Sequence, residues 1–398
     1  MQPSFIIDRE ALQNRRNSKW RRFDASVLPS WIADMDFEVA PAIRHAIAQV
    51  VDQGDYGYPR RAQIPAERIV TTAFASWMAE RHGWAGIDAA QVVCVTDLMQ
   101  GCVAAIMAFS EKDDGIVLNT PCYPPFRGCI EETGRRLVDN PLVDSGSRFE
   151  LDLDAMEAAI DARTRMILLC NPQNPTGRVF TRAELQRIGQ IAVRHDLVIF
   201  SDEIHADLTY AGQTHIPIAS LGGEIAARCI TASSATKAFN IPGLRCGVLH
   251  FGSPELLARF NAAIPRTLLG KPAITGIDAT VAAWTESAQW LDEVLVHLAE
   301  VRDMLGRAVA ERMGAIRFYA PEATYLAWLD CSALKLDVPA AQFFLDQAKV
   351  GFSPGETFDP AYGQWVRFNM ATSMPIAAEK IERMVAAYEA LGLPERRS

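Results

Sequence analysis

Three polar groups of different chemistry follow three apolar runs in this chain. RMILLC leads into NPQNPTG (171–177), LVIFS leads into Asp202 and His205, and RCITA leads into Ser233, Ser234 and Lys237, with Arg245 eight positions beyond the lysine. A lysine amine can condense with an aldehyde, and a carboxylate can hold a protonated heterocyclic nitrogen. The amide of Asn174 can donate to a phenolate oxygen, while hydroxyls and a guanidinium suit a phosphate dianion. Taken singly, each residue has a plainer reading. NPQNPTG could be a Pro-rich turn, Asp202 a helix cap, His205 a satisfied core histidine and Lys237 a surface charge. Taken together, at the ends of successive apolar runs, they meet a joint demand that none of those readings makes.

That demand is the one made by pyridoxal 5′-phosphate. This cofactor needs a lysine for its aldehyde (Lys237) and an acid that keeps its ring nitrogen protonated (Asp202). It also needs a donor to its ring oxygen (Asn174) and anchors for its phosphate, for which Ser234 and Arg245 flank the lysine at suitable offsets. The elements that must bring these groups together can be read from the alternation of the chain. From about residue 66, helical patterns (ERIVTTAFASWMAERHG, GCVAAIMAFSE, TRAELQRIGQIAVRHD) alternate with short apolar runs (QVVCVT, GIVLNTP, RLVDNPLV, RMILLCNP, LVIFSDE, RCITASS, RCGVLHF). Continuous apolar runs separated by amphipathic helices predict an α/β fold with a mostly parallel sheet covered on both faces. Ligands in such sheets bind outside the carboxyl ends of the strands, where the amide, the carboxylate and the amine all fall. The last part reads differently, with a long helical region from about Pro272 to Met313, then IRFYAP, TYLAWLD, a helix around AAQFFLDQAK, QWVRFNMA and a final amphipathic helix. It predicts a smaller α+β domain. We expect residues 1–51 to join that smaller domain, 52–285 to form the large cofactor-binding domain, and 286–398 to complete the small one.

Composition excludes several classes. At 398 residues, with 49% hydrophobic residues, the chain can bury a large core. The net charge of −9 and the lack of a basic tract argue against a nucleic-acid surface. No run has the length of a membrane span, and the N-terminus lacks the pattern of a signal peptide. The eight cysteines form no CxxC pair and no Cys/His cluster at metal spacing, as expected of a reduced cytoplasmic protein without a metal.

The ordered set NPxNPTG, SDE, then SxxK with an arginine eight residues later resembles the fold-type I aminotransferase superfamily. Several further stretches resemble its MalY/PatB-type cystathionine β-lyase and C–S lyase branch: WIADMDF (31–37), GDYGYP (54–59), NTPCYPPF (119–126), SDEIHADL (201–208), KAFNIPGLRCG (237–247) and WVRFNMA (365–371). The resemblance covers nearly the whole chain. It implies that Lys237 binds the cofactor aldehyde, that Asp202 partners the ring nitrogen, and that Asn174 and His205 lie near the ring oxygen. Tyr123 would stack on the ring, and Ser234 and Arg245 would hold the phosphate. Tyr58 would reach the phosphate of a neighbouring subunit, which implies a homodimer with shared sites. Arg367 resembles the arginine that grips the substrate α-carboxylate.

One loop departs from the family pattern. Where members commonly carry SPGVVPG, this chain has VTDLMQG (95–101), so Leu98 and Met99 fall at phosphate-contacting positions and Asp97 replaces a glycine. The implied reaction is β-elimination on cystathionine or another cysteine S-conjugate, giving a thiol, pyruvate and ammonia, with Lys237, Tyr123 and Asp202 as the catalytic groups. Transamination is the alternative, as is decarboxylation coupled to deamination in secondary metabolism. A regulatory protein that keeps the cofactor only as a ligand is the alternative from outside enzymology, and the presence of Lys237, Asp202 and Arg367 argues against it.

Overall fold

The computed structural model of the protein describes residues 3–61 and 63–393. Its centre is a sheet of seven strands in the spatial order Val92–Val95, Gly247–Phe251, Cys229–Ser233, Val198–Asp202, Thr164–Cys170, Gly115–Thr120 and Arg136–Pro141. Gly247–Phe251 runs antiparallel to both of its neighbours, and the other strands share one direction. The apolar runs lack polar alternation because both faces of this sheet are covered. Ile167, Leu169 and Ile199 point into one core with Phe74, Trp77 and Ile188, while Met166, Leu168 and Phe200 point into the other with Ile106, Phe126 and Ile130. Successive side chains on a strand face opposite ways, so every position of these runs must be apolar.

The helices begin where the sequence supplies caps. Thr181 and Glu184 form a reciprocal capping box at the start of Arg182–Arg194. Asp97 caps Leu98–Phe109, its side chain accepting from the amide of Met99. The region from Pro272 to Met313 is two helices, Ile274–Glu286 and Ala288–Arg312, parted at Ser287. There the serine hydroxyl donates to the carbonyl of Ala282, drawing the chain back on itself. Leu291, Val294 and Leu298 of the second helix pack into the core of the large sheet, and Val301, Leu305 and Val309 into a separate core. One rod therefore joins the two layers.

That second core lies on a five-stranded sheet in the order Leu28–Ser30, Val350–Pro354, Trp365–Asn369, Leu326–Asp330 and Arg317–Phe318. Leu28–Ser30 pairs in parallel with Val350–Pro354, so the chain's first strand lies beside one of its last. A buried ion pair ties the following segment in place. Lys19 Nζ lies 3.0 Å from Asp36 Oδ2 and also donates to the carbonyls of Asp34 and Ala371. Asn369 Nδ2 donates to the carbonyls of Ile32 and Asp34. The stretch 31–36 is thus bound to the small sheet, and it crosses the crevice into which the large sheet's strands end.

Candidate active site

At the carboxyl ends of the large sheet lies a cavity of about 160 Å³. Asn174, Asp202 and Lys237 line it from three adjacent strand ends, joined by Tyr123, His205, Ser234, Arg245, Leu98 and Met99. The structure therefore brings together nine of the eleven residues singled out in the sequence. Arg367 stands directly behind this group. Its guanidinium donates to Asn174 Oδ1 at 3.0 Å, to the carbonyl of Trp31 at 3.0 Å and to Ser353 Oγ at 3.2 Å. Tyr58 does not line the cavity, and its side chain is fully exposed.

Burial sets the electrostatics. Asp202 ends its strand with no water-facing surface to speak of, and burial pushes its pKa up to about 7, with Glu203 pushing the same way. The Ile204 amide donating to Asp202 Oδ1 and the charge of Lys237 oppose that rise. Such a carboxyl is poised to ionise against a cation placed beside it. Lys237 is pushed down to about 8 by burial, aided by Arg367 and opposed by Asp34 and Asp202. A neutral, nucleophilic amine is therefore accessible near physiological pH. Lys237 Nζ donates to the carbonyl of Ala33 at 2.9 Å, and the hydroxyl of Tyr325 donates to the same carbonyl at 3.0 Å.

His205 is held neutral, because burial and the charges of Lys237 and Arg367 lower it to about 3. Its Nδ1 is buried with no hydrogen-bond partner among the described residues. A buried polar atom without a partner costs stability unless a ligand satisfies it. Arg367 falls to about 10 through burial but stays a cation at neutral pH, with its guanidinium carbon 4.8 Å from the centre of the Phe358 ring. Tyr123 is raised by burial against the pull of Arg367, so its phenol keeps its proton.

Two residues expected at a phosphate are engaged with the protein. Ser234 Oγ donates to the Cys246 carbonyl at 2.7 Å, and Thr236 lies 2.9 Å from the same hydroxyl. Arg245 Nη1 donates to Asp97 Oδ2 at 2.9 Å. Arg245 has φ +46°, a left-handed conformation uncommon outside glycine, at the end of the turn Pro242–Leu244. Sequence reasoning passed over Ala33, which acts through a backbone carbonyl and so leaves no side-chain signature. It also passed over Tyr325, which TYLAWLD presents as an ordinary core aromatic, and Thr236, an unmarked position inside SxxK.

A model of the aminotransferase class I and II family matches residues 32–386. The chain is 32% identical to the cystathionine β-lyase of Corynebacterium glutamicum, over 95% of this chain and 98% of that protein. It is 31% identical to the cystathionine β-lyase PatB of Bacillus subtilis, over 90% and 92% respectively. Cystalysin from Treponema denticola, whose crystal structure contains pyridoxal 5′-phosphate, superposes with a TM-score of 0.90 at 26% identity, over 98% of this chain and 100% of that one. The chain belongs to the aminotransferase class I and II family of fold-type I enzymes, with the MalY/PatB-type cystathionine β-lyases and C–S lyases as its relatives. Its cofactor is pyridoxal 5′-phosphate. The residues present fit that group: a depressed lysine, a buried acid and an imidazole nitrogen without a partner share one cavity.

Proposed function

We propose that the protein is a C–S lyase that eliminates a thiol from the β-carbon of a cysteine S-conjugate or cystathionine, leaving pyruvate and ammonia. The observation that carries this reading is the meeting of the Lys237 amine and the Asp202 carboxyl in one strand-end cavity, with the Arg367 guanidinium hydrogen-bonded to Asn174 of its lining. When bound, the cofactor supplies an electron sink for a carbanion at Cα. Lys237 would hold its aldehyde, Asp202 its ring nitrogen, Asn174 and His205 its ring oxygen and Tyr123 its ring face. Ser234, Arg245 and the backbone at Leu98 and Met99 would hold its phosphate, joined by Tyr58 from a second copy of the chain in a homodimer.

The chain's own groups then divide the work. Arg367 pairs with the substrate α-carboxylate, for which its planar donors are suited, and so fixes Cα in the crevice. Lys237, once free as a neutral amine, takes the Cα proton, and a low pKa makes it a ready base near pH 8. The protonated Lys237 or the phenol of Tyr123 can return a proton to the departing sulfur. Burial of Asp202 and His205 keeps water from competing for the ring contacts. We also propose a division of the chain at 51 and 285, with 1–51 counted with the small domain. The pairing of Leu28–Ser30 with Val350–Pro354 supports that grouping.

Incubating the purified protein with L-cystathionine and with simple S-alkyl cysteines should release pyruvate and thiol in equal amounts. Lys237→Ala should abolish both this turnover and the visible absorption of the bound cofactor. Conversion of added 2-oxo acids into amino acids without pyruvate release would replace the reading with transamination, and release of carbon dioxide would replace it with decarboxylation.

A further inference from the structure

The carboxylate of Asp97 sits among the groups assigned to the cofactor's phosphate and holds two of them. Asp97 lines the cavity together with Ser234, Arg245 and Lys237. Its Oδ1 accepts from the amide of Met99 at 2.8 Å, at the start of the 12-residue helix Leu98–Phe109, and its Oδ2 accepts from Arg245 Nη1 at 2.9 Å. The helix N-terminus and the guanidinium are the two strongest anion donors at that end of the cavity. The neighbouring hydroxyl of Ser234 is committed to the carbonyl of Cys246. An amide has one hydrogen to give, so Met99 N–H cannot serve a carboxylate and a phosphate oxygen fully at once. Arg245 has donors to spare, but the acid beside it already offsets part of its charge.

We propose that Asp97 is a built-in competitor of the cofactor's phosphate, an anion that has to yield the Met99 amide and share Arg245, and that it thereby sets a weaker hold on the cofactor than the same site would have without it. The proposal rests on the reading of Arg245 and Met99 as phosphate ligands. It identifies Asp97 as a residue that tunes cofactor retention, and it gives a physical sense to an acid standing where family members commonly carry glycine. The phosphate end should feel it most, because Asp97 hydrogen-bonds the phosphate ligands directly, whereas on Asp202, Lys237 and Tyr123 its charge is only a minor influence.

The test uses the full-length protein depleted of cofactor and compares equilibrium binding of pyridoxal 5′-phosphate with that of pyridoxal, which lacks the phosphate. Asp97→Asn retains a helix-capping oxygen and removes the charge, so the helix is preserved. It should tighten pyridoxal 5′-phosphate by about tenfold or more, the scale expected for removing a like charge at contact range near a protein surface, and shift pyridoxal by clearly less. Arg245→Gln should weaken pyridoxal 5′-phosphate alone, and adding Asp97→Asn to it should restore part of the loss. Selective weakening by Arg245→Gln, with Asp97→Asn leaving pyridoxal 5′-phosphate unchanged or weaker, would overturn the competitor role and leave Asp97 a cap that orients Arg245. If Arg245→Gln shifts both ligands equally or neither, the phosphate assignment itself fails and the proposal fails with it.

Discussion

Asp202 shows how far the candidate site departs from what the fold alone would choose. Its pKa of about 7 lies above the ordinary value of 3.8, so the folded protein binds a proton that the unfolded chain releases between those values. As pH rises through that window the unfolded state binds fewer protons, and the cofactor-depleted protein loses stability. Asp202→Asn removes that penalty while keeping an acceptor for the Ile204 amide. Thermal unfolding of the cofactor-depleted variant at pH 8 should give a higher Tm than wild type, by up to a few kcal/mol of stability, with no difference near pH 4. The elimination proposed for it should be lost over the same range, because an amide cannot hold a protonated ring nitrogen as an ion pair. At this scale the sequence was most informative about residues whose chemistry is rare at strand ends. Lys237, Asp202 and Asn174 were legible because a charged or amide group directly after an apolar run is conspicuous. The Ala33 carbonyl was not, since any residue could supply it, and the pairing of Arg245 with Asp97 depends on a loop geometry that no spacing rule encodes.

The elements around the site are placed by close approaches that tolerate little extra volume. Helix Ile274–Glu286 passes behind the turn that presents Arg245, and a Cβ added at Gly276 would lie 2.3 Å from the carbonyl oxygen of Leu244. That neighbour is backbone and cannot rotate away. Gly276→Ala should therefore cost about 1–3 kcal/mol, seen as a lower Tm. It should also weaken pyridoxal 5′-phosphate binding, because the shift falls on the residue before Arg245. The strands and helices of the large sheet were readable because burial on both faces leaves uninterrupted apolar runs, and caps such as Thr181 mark the helix starts. The strand Val350–Pro354 was harder to see. VGFSP carries a glycine and a proline, and it forms a strand only because Leu28–Ser30 and Trp365–Asn369 supply partners from distant parts of the chain. The break at Ser287 was hidden for a similar reason, since the apolar pattern runs on through it.

For the whole molecule, the exposed aromatics Tyr56 and Tyr58 on the loop after helix Pro41–Gln53 are the feature that a lone chain does not explain. If Tyr58 completes the site of a second copy, Lys237→Ala damages its own chain's site and Tyr58→Ala its partner's, so in a mixed dimer both lesions fall in the same site. Each variant alone should be nearly inactive. Unfolding and refolding an equal mixture should recover roughly a quarter of wild-type turnover, because half of the dimers are mixed and each of those keeps one intact site. No recovery, with a monomer by sedimentation, would remove Tyr58 from the site. Within one chain, the segment 31–36 belongs by its hydrogen bonds to the small sheet, yet the carbonyl of Ala33 holds the amine that projects from the large one. Arg367, from the small sheet, reaches the other way to Asn174. Any swing of the two halves apart would pull on both contacts at once, freeing the amine and the guanidinium in a single motion. The crevice is thus a two-handed clasp, in which the hold on the amine and the hold on the amide side chain would loosen together.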